Sequence, residues 1–95
     1  MNGDFESIHN HHERAVYEAV RSSAARYPHL SGAELLADIA CVALNRLPPR
    51  YIRHEVDFAF YLTDKERGEN ERAISEAVAF AFEFVQARAA MRARK

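Results

Sequence analysis

The chain has 95 residues, of which 48% are hydrophobic and 28% are charged, a balance typical of one globular domain rather than a disordered segment. Its net charge of −1 argues against DNA binding through a broad basic surface, and its single cysteine, Cys41, excludes a disulfide framework and a cysteine metal cage. The sequence has neither a run of about 18 apolar residues nor a basic-then-apolar signal pattern, so we expect a cytoplasmic protein without membrane insertion.

Helical periodicity dominates the first part of the chain. Apolar residues recur at spacings of three and four from about Phe5 to Tyr27, which predicts an amphipathic first helix that ends before Pro28. The residues of its predicted apolar stripe are Ile8, His12, Ala15, Val16, Ala19 and Val20.

A second helix is predicted between a capping signal and a pair of prolines. Ser31 and Glu34, three positions later, form a capping-box pattern. The helix should therefore begin near Gly32 or Ala33, and Pro48–Pro49 should end it, because proline cannot donate the helical hydrogen bond. Its predicted apolar face consists of Leu36, Ile39, Ala40, Ala43 and Leu47.

The segment after the prolines has a different rhythm. In "YIRHEVDFAFYL" apolar and aromatic residues alternate with charged or small ones, which predicts a strand or extended segment around 52–62, with a short helix as the alternative. Thr63 and Glu66 then repeat the capping-box pattern, so a long final helix is predicted from about Asp64 to Met91.

The final helix carries two apolar stripes, whereas a helix in a small monomer needs one. The first stripe consists of Ile74, Ala77, Val78, Ala81, Phe82, Val85 and Ala89. Phe80, Phe84 and Met91 form the second, which predicts a homodimer, because contiguous exposed aromatic residues are uncommon on soluble monomers. The alternative is that the first helix and the proline corner cover both stripes. Together the elements predict a small, mainly α domain with three to four helices.

The sequence offers little support for catalysis or metal binding. His9 and His12 of "IHNHHE" would lie one turn apart on the predicted helix, but no second ligand cluster matches them, apart from His54. There is no nucleophile motif and no glycine-rich phosphate loop, and Asp38 with Cys41 one turn on does not make a mechanism. We therefore expect no enzyme, no cofactor and no metal; the alternative is a metal-dependent enzyme built on the three histidines.

The stretch "ALNRLPPRY" ends a helix on two prolines and places recognition side chains beside them. Arginine matches phosphate and the guanine edge with its planar fork, and tyrosine offers a surface on which a base stacks. The prolines restrict the corner, so that less entropy is lost on binding. A structural corner with solvated arginines is the alternative. The candidate ligand-binding residues are Asp38, Asn45, Arg46, Arg50, Tyr51, Arg53, His54 and Asp57.

The stretch "DIACVALNRLPPRYI", Asp38 to Ile52, resembles the signature of the late competence development protein ComFB family, an acid and Ala-Leu-Asn followed by Leu-Pro-Pro-x-Tyr. The upstream "IHNHHERAV" is similar to the family's Asn-x-x-Glu-x-x-Val pattern at Asn10, Glu13 and Val16. Downstream, "RHEVDFAFYLTDKE" resembles the continuation of one subgroup into the last helix. The resemblance covers most of the chain, which we interpret as a single ComFB-like domain over residues 1–95.

The resemblance implies a small, mainly helical homodimer and a second-messenger receptor for c-di-GMP or, as the less favoured ligand, c-di-AMP. It links the chain to competence, pili, motility or cell-size control. Some members of the family hold zinc with four cysteines; this chain has only Cys41, so no metal is carried over. Whether one ligand lies across the dimer axis or each protomer binds its own is open.

Two hypotheses follow. In the first, the protein signals to an effector protein: Arg50 and Arg53 bind phosphate or the guanine edge, and Tyr51 stacks on a base. Asn45 and Asp38 organise the corner: the Asn45 amide, in the last helical turn, bridges to the loop backbone, whereas Asp38 can equally pair with Arg46 or cap the loop. In the second, the protein is a structural or adaptor protein of a competence or pilus apparatus, and its corner docks a protein without binding a nucleotide.

Overall fold

The computed structural model describes residues 3–54, 56, 60 and 62–93. Among the described residues, three α-helices and a two-stranded antiparallel sheet are continuous, which confirms the predicted small, mainly α domain. In chain order these elements are β1 (His9–Asn10), α1 (Glu13–Ser23), α2 (Ala33–Arg46), β2 (Tyr51–Ile52) and α3 (Asp64–Ala93). None of the helices in the described part of the chain combines the length and the apolar character that a bilayer span requires.

The first helix is shorter than its periodicity predicts. It begins at Glu13, because the residues just before it form β1, in which His9 pairs with Ile52 of β2. The prediction of a helix from about Phe5 is therefore wrong, and Ile8 of the predicted stripe is 47% exposed. After α1 the chain continues through short 3-10 turns at Ala24–Arg26 and Pro28–Leu30.

The starts of the other two helices follow the prediction, but only one of them uses the predicted cap. At α3 the capping box is formed: the Glu66 amide donates to Thr63 Oγ1 at 3.1 Å, and the Thr63 amide donates to Glu66 Oε1 at 3.3 Å. At α2 the residue before the helix is Gly32, without a side-chain cap, and the Ser31 hydroxyl donates to the Pro28 carbonyl at 2.9 Å. The capping-box prediction for Ser31 is wrong, although the start at Ala33 is confirmed.

The core lies where the apolar sides of the three helices meet. The predicted face of α2 and the first stripe of α3 supply most of it, and the centre is the fully buried ring of Phe82. Tyr27 fastens the connection between α1 and α2 to α3: its ring stacks on Phe82 with centroids 4.5 Å apart, and its hydroxyl donates to Glu83 at 3.0 Å. The buried core residues are Val16, Val20, Leu30, Ile39, Ala40, Ala43, Leu47, Ala77, Val78, Ala81, Phe82 and Val85.

Two predictions about exposed segments have different outcomes. Among the described residues of this region, the strand comprises Tyr51–Ile52 at the start of the predicted segment, whereas Val56 and Phe60 are helical and 80% and 85% exposed. Glu55, Asp57–Ala59 and Tyr61 of that segment lie outside the described residues. The second stripe of α3 is exposed in the single chain, so α1 and the corner do not cover it; the exposed fractions are 37% for Phe80, 42% for Phe84 and 68% for Met91.

Candidate functional site

The proline corner, Leu47–Arg53, connects α2 to the edge of the small sheet. Leu47 adopts an extended conformation and is buried, so it stops the helix and anchors the corner to the core. Pro48 and Pro49 are exposed, and their rings fix two φ angles in succession. The chain therefore leaves the core at Leu47, and the two prolines restrict the backbone conformation with which it reaches the surface.

Asn10 connects the corner to the N-terminal segment. The residue is buried, with 9% of its surface accessible, and its Oδ1 accepts a hydrogen bond from the amide of His12 at 3.1 Å and from the amide of Arg50 at 3.4 Å. The amide of His11 donates to the Arg50 carbonyl at 2.7 Å. Both polar backbone groups of Arg50 are therefore held by the chain around Asn10. Asn10 is not among the predicted site residues; the sequence signal that points to it is its place in the "IHNHHERAV" motif.

The side chains of the corner point outward from this fixed backbone. Arg50, Tyr51 and His54 are exposed, and the Tyr51 ring keeps 68% of its surface accessible. Arg53 lies against the N-terminal turn: its Nε donates to Ser7 Oγ at 2.9 Å, and its Nη2 donates to Asp4 Oδ2 at 3.3 Å. Residues 50–54 thus present two guanidinium groups, one aromatic ring and one imidazole at the surface, groups that suit phosphate and a nucleobase.

The predicted site residues on α2 lie elsewhere. The Asn45 amide donates to Cys41 Sγ at 3.7 Å, and both residues line a groove of about 640 Å³ between α1 and α2. Asn45 therefore does not bridge to the loop backbone as predicted; Asn10 does. The guanidinium of Arg46 lies 3.8 Å from the ring centroid of Phe80, on α3.

Asp38 is two turns before the corner and borders α3 instead. It lines a small cavity with Arg88 and Arg92, near the end of that helix. Among the described residues, no hydrogen bond or ion pair joins Asp38 to Arg46 or to the corner, because the side chain lies on another side of α2. Asp57 lies outside the described residues.

His12 is buried directly behind the corner. Burial lowers the pKa of His12, and the neighbouring His11 and Arg50 lower it further, against a hydrogen bond to the Pro48 backbone that raises it. Among the residues that the structure describes, the buried His12 Nδ1 has no hydrogen-bond partner. This arrangement favours the neutral imidazole in the folded protein. Protonation of His12, which lies behind the corner, should therefore destabilise the fold.

The histidine cluster does not have the predicted helical geometry. His9 lies in β1 rather than on a helix, and its Nδ1 is 3.2 Å from the Ser7 carbonyl oxygen. The rings of His11 and His12 are 5.6 Å apart and tilted by 55°. Within the described ranges, no three His, Cys, Asp or Glu side chains are grouped so that they could hold a metal ion.

The exposed side of α3 is the second candidate surface. Phe80 and Phe84 stack with their centroids 5.8 Å apart. Arg46 covers part of Phe80, and the guanidinium of Arg88 lies 5.8 Å from the ring centroid of Phe84. Two aromatic rings and two cations therefore form one continuous patch, which begins where α2 enters the corner.

Comparison with known proteins gives one result. A family model described as "Late competence development protein ComFB" matches residues 9–89 of the chain. The matched range contains both strands, α1, α2, the corner and most of α3. A search of curated proteins and a search of solved structures find no match.

Proposed function

The chain belongs to the late competence development protein ComFB family, and from this premise we propose that it is a receptor for a cyclic dinucleotide, c-di-GMP in preference to c-di-AMP. Family membership itself suggests a competence-related role. In our proposal the receptor is a cytoplasmic homodimer without catalytic activity, cofactor or metal. It passes the ligand signal to an effector protein in the regulation of competence, pili or motility.

The observation that carries this proposal is the set of exposed recognition side chains on a fixed backbone. The amide and the carbonyl of Arg50 are both hydrogen-bonded to the segment around Asn10, while the adjacent Tyr51 ring is 68% exposed. A site that is ordered before binding loses less conformational entropy when a ligand is bound. In the proposed complex Arg50 binds phosphate or the guanine edge, and Tyr51 stacks on a base.

Arg53 would supply the second cation. Its ion pair with Asp4 is solvent-exposed on both sides, with side-chain exposures of 52% and 66%. Such a surface pair contributes only about 0–1 kcal/mol, so a phosphate can take the place of the Asp4 carboxylate at little cost. The existing hydrogen bond to Ser7 holds the guanidinium in place during this exchange.

The symmetry of the ligand class agrees with a homodimer. A cyclic dinucleotide has two phosphates and two bases related by an approximate two-fold axis, and two copies of the chain present the corner twice. Support for the homodimer comes from the exposed Phe80 and Phe84, which a second copy would cover. Binding and dimerisation would then be separate properties of two different surfaces.

Calorimetry tests the receptor function directly. We expect saturable binding when the purified protein is titrated with c-di-GMP, weaker binding of c-di-AMP, and none of the linear dinucleotide. Arg50→Ala should weaken binding by roughly tenfold to a hundredfold, because a charge-assisted hydrogen bond is worth about 1.5–3 kcal/mol. Tyr51→Ala should lose the stacking contribution of about 1–3 kcal/mol, whereas the matched Tyr51→Phe variant keeps the ring and should bind normally.

Thermal unfolding serves as the control. The Arg50 and Tyr51 side chains are exposed, so neither substitution should change the stability of the free protein by more than about 0.5 kcal/mol. A ligand at 100 times its dissociation constant should stabilise the wild type by about 2.7 kcal/mol. Unaltered affinity in the Arg50→Ala variant would remove this residue from the site.

The adaptor hypothesis is the second candidate, and the exposed patch on α3 favours it. Phe80, Phe84 and Met91 present a large apolar surface that a protein partner could cover. If neither cyclic dinucleotide produces heat with folded protein, the adaptor function replaces the receptor. A partner captured in a pull-down should then depend on Tyr51 or on these three residues.

A further inference from the structure

One side of α3 has a charge pattern that is complementary to its own reversal. Glu76 is one helical turn before Phe80, and Arg88 is one turn after Phe84, so the order along this side is acid, ring, ring, base. All four side chains are exposed, and the two rings are stacked. If a second copy of this helix is placed antiparallel to the first, the acid of each copy lies opposite the base of the other. The two rings of each copy then lie opposite the rings of the other.

The sizes of the flanking residues follow the same symmetry. Ala73 is seven residues before Phe80, and Met91 is seven residues after Phe84, which places both on the same side of the helix. Ala73 is small and half-buried, whereas Met91 is long and 68% exposed. In an antiparallel pair, the long side chain of Met91 would therefore lie opposite the small side chain of Ala73 in the second copy.

We propose that two copies of the chain pair through this side of α3 with the two helices antiparallel, so that Phe80 of each copy lies against Phe84 of the other. Glu76 then faces Arg88 of the second copy twice, and Met91 covers Ala73 of the second copy twice. The inference rests on the homodimer proposed above and adds the direction and the register in which the two helices pair. The symmetric arrangement is isologous, so it closes at two copies.

The charges select the antiparallel direction. In a parallel pair with the rings in register, Glu76 would face Glu76 and Arg88 would face Arg88, and like charges placed opposite each other at an interface are strongly unfavourable. The antiparallel pair replaces both repulsions by two ion pairs. It also places the positive N-terminal end of each helix near the negative C-terminal end of the other.

Arg46 places the proposed interface beside the corner. It is the last residue of α2 and lies on the Phe80 ring at 3.8 Å, so it borders the contact with the second copy. Arg50 follows four residues later. The two corners of the dimer are thus each connected to the interface through a single side chain and the buried Leu47.

Charge reversal tests the register with three samples of the full-length protein. Glu76→Arg places two arginines opposite each other twice in its homodimer, and Arg88→Glu does the same with two glutamates. Each variant alone should therefore dimerise about tenfold or more weakly than the wild type. An equimolar mixture of the two variants restores both ion pairs in a heterodimer, so mixing should recover the dimer mass, twice the 10.8 kDa of the chain.

The measurement is light scattering over a micromolar dilution series, with circular dichroism to show that each variant is folded. Glu71→Arg is the matched control: it makes the same charge change on α3, but Glu71 lines the groove toward α1, and its dimer should persist. A monomeric wild type would overturn the homodimer and this inference together. A dimeric wild type whose mass survives both reversals would overturn only this register, as would a mixture that stays monomeric. Nucleotide titration of the same samples reports on the receptor function separately.

Discussion

The proline corner and the aromatic side of α3 both present side chains to solvent, but different forces hold them. The corner is fixed by a few buried polar contacts from a distant segment, above all the hydrogen bond from the Arg50 amide to Asn10, 40 residues away in the chain. The side of α3 is fixed by a 30-residue helix whose opposite side is buried through Ala81 and Phe82. A single polar substitution can therefore disorder the proline corner, whereas the side of α3 is lost only if the hydrophobic core unfolds.

Asn10→Ala should give the largest effect and should break the corner alone. The substitution leaves the amides of His12 and Arg50 without their acceptor, and each buried unsatisfied group costs about 1–3 kcal/mol. We expect the free energy of unfolding to fall by about 2–4 kcal/mol in urea denaturation. Nucleotide affinity should fall as well, because Arg50 and Tyr51 lose their fixed backbone.

Asn45→Ala is the matched control, since it removes the same side chain from an exposed position where the amide donates only a long bond to Cys41. This variant should stay within about 0.5 kcal/mol of the wild type. If Asn45→Ala proved as destabilising as Asn10→Ala, the assignment of the bridging role to Asn10 would be wrong.

The two regions also differ in how far the sequence predicts them. The start of α3 and its buried stripe follow from Thr63, Glu66 and the spacing of apolar residues, which are local signals. The second stripe follows from the same periodicity. The pairing of Asn10 with Tyr51 does not, because a two-residue strand has no detectable alternation and its partner lies beyond two complete helices.

The errors in the predicted candidate site have the same cause, because local sequence signals do not show which distant residues come into contact. Arg50, Tyr51 and Arg53 are consecutive or nearly so, and all three are exposed in the structure; their joint role in binding stays a prediction. Nearness to the corner in sequence predicts the bridging role for Asn45, but its place on the α2 surface turns its amide toward Cys41. The residue that bridges is supplied by tertiary structure, which spacing within one motif cannot predict.

Lowering the pH should reduce the free energy of unfolding through protonation of His12. The pKa of His12 is lowered in the folded state, mainly by burial and then by His11 and Arg50, so the unfolded chain binds the proton more readily. Stability is therefore full above pH of about 6.5, the ordinary value for histidine, and is lost as the pH falls from there toward the lowered pKa. Urea denaturation at pH 7.5 and 5.5 measures the loss.

Carboxylates also titrate in acid, so the His12→Gln variant is needed to isolate this contribution. Its stability should decline less between the two pH values than that of the wild type, whatever its stability at neutral pH. Equal declines in the two proteins would show that the charge on His12 does not matter to the corner. The contribution of His12 is given by the change in the free energy of unfolding between the two pH values, rather than by its value at either pH.

Arg46→Ala should have a small effect on stability and none on nucleotide affinity, and it tests whether the two regions act independently. The Arg46 guanidinium lies on Phe80, so its loss should cost about 0.5–1 kcal/mol of stability, the usual value for an exposed cation–π contact. Arg46→Lys keeps a cation on the ring and should retain part of that energy. Because the side chain faces α3 rather than Tyr51, the affinity for c-di-GMP measured by calorimetry should be unchanged in both variants. A loss of affinity comparable to that of Arg50→Ala would mean that Arg46 belongs to the nucleotide site, as its position in the sequence suggests, and that ligand binding draws it away from Phe80.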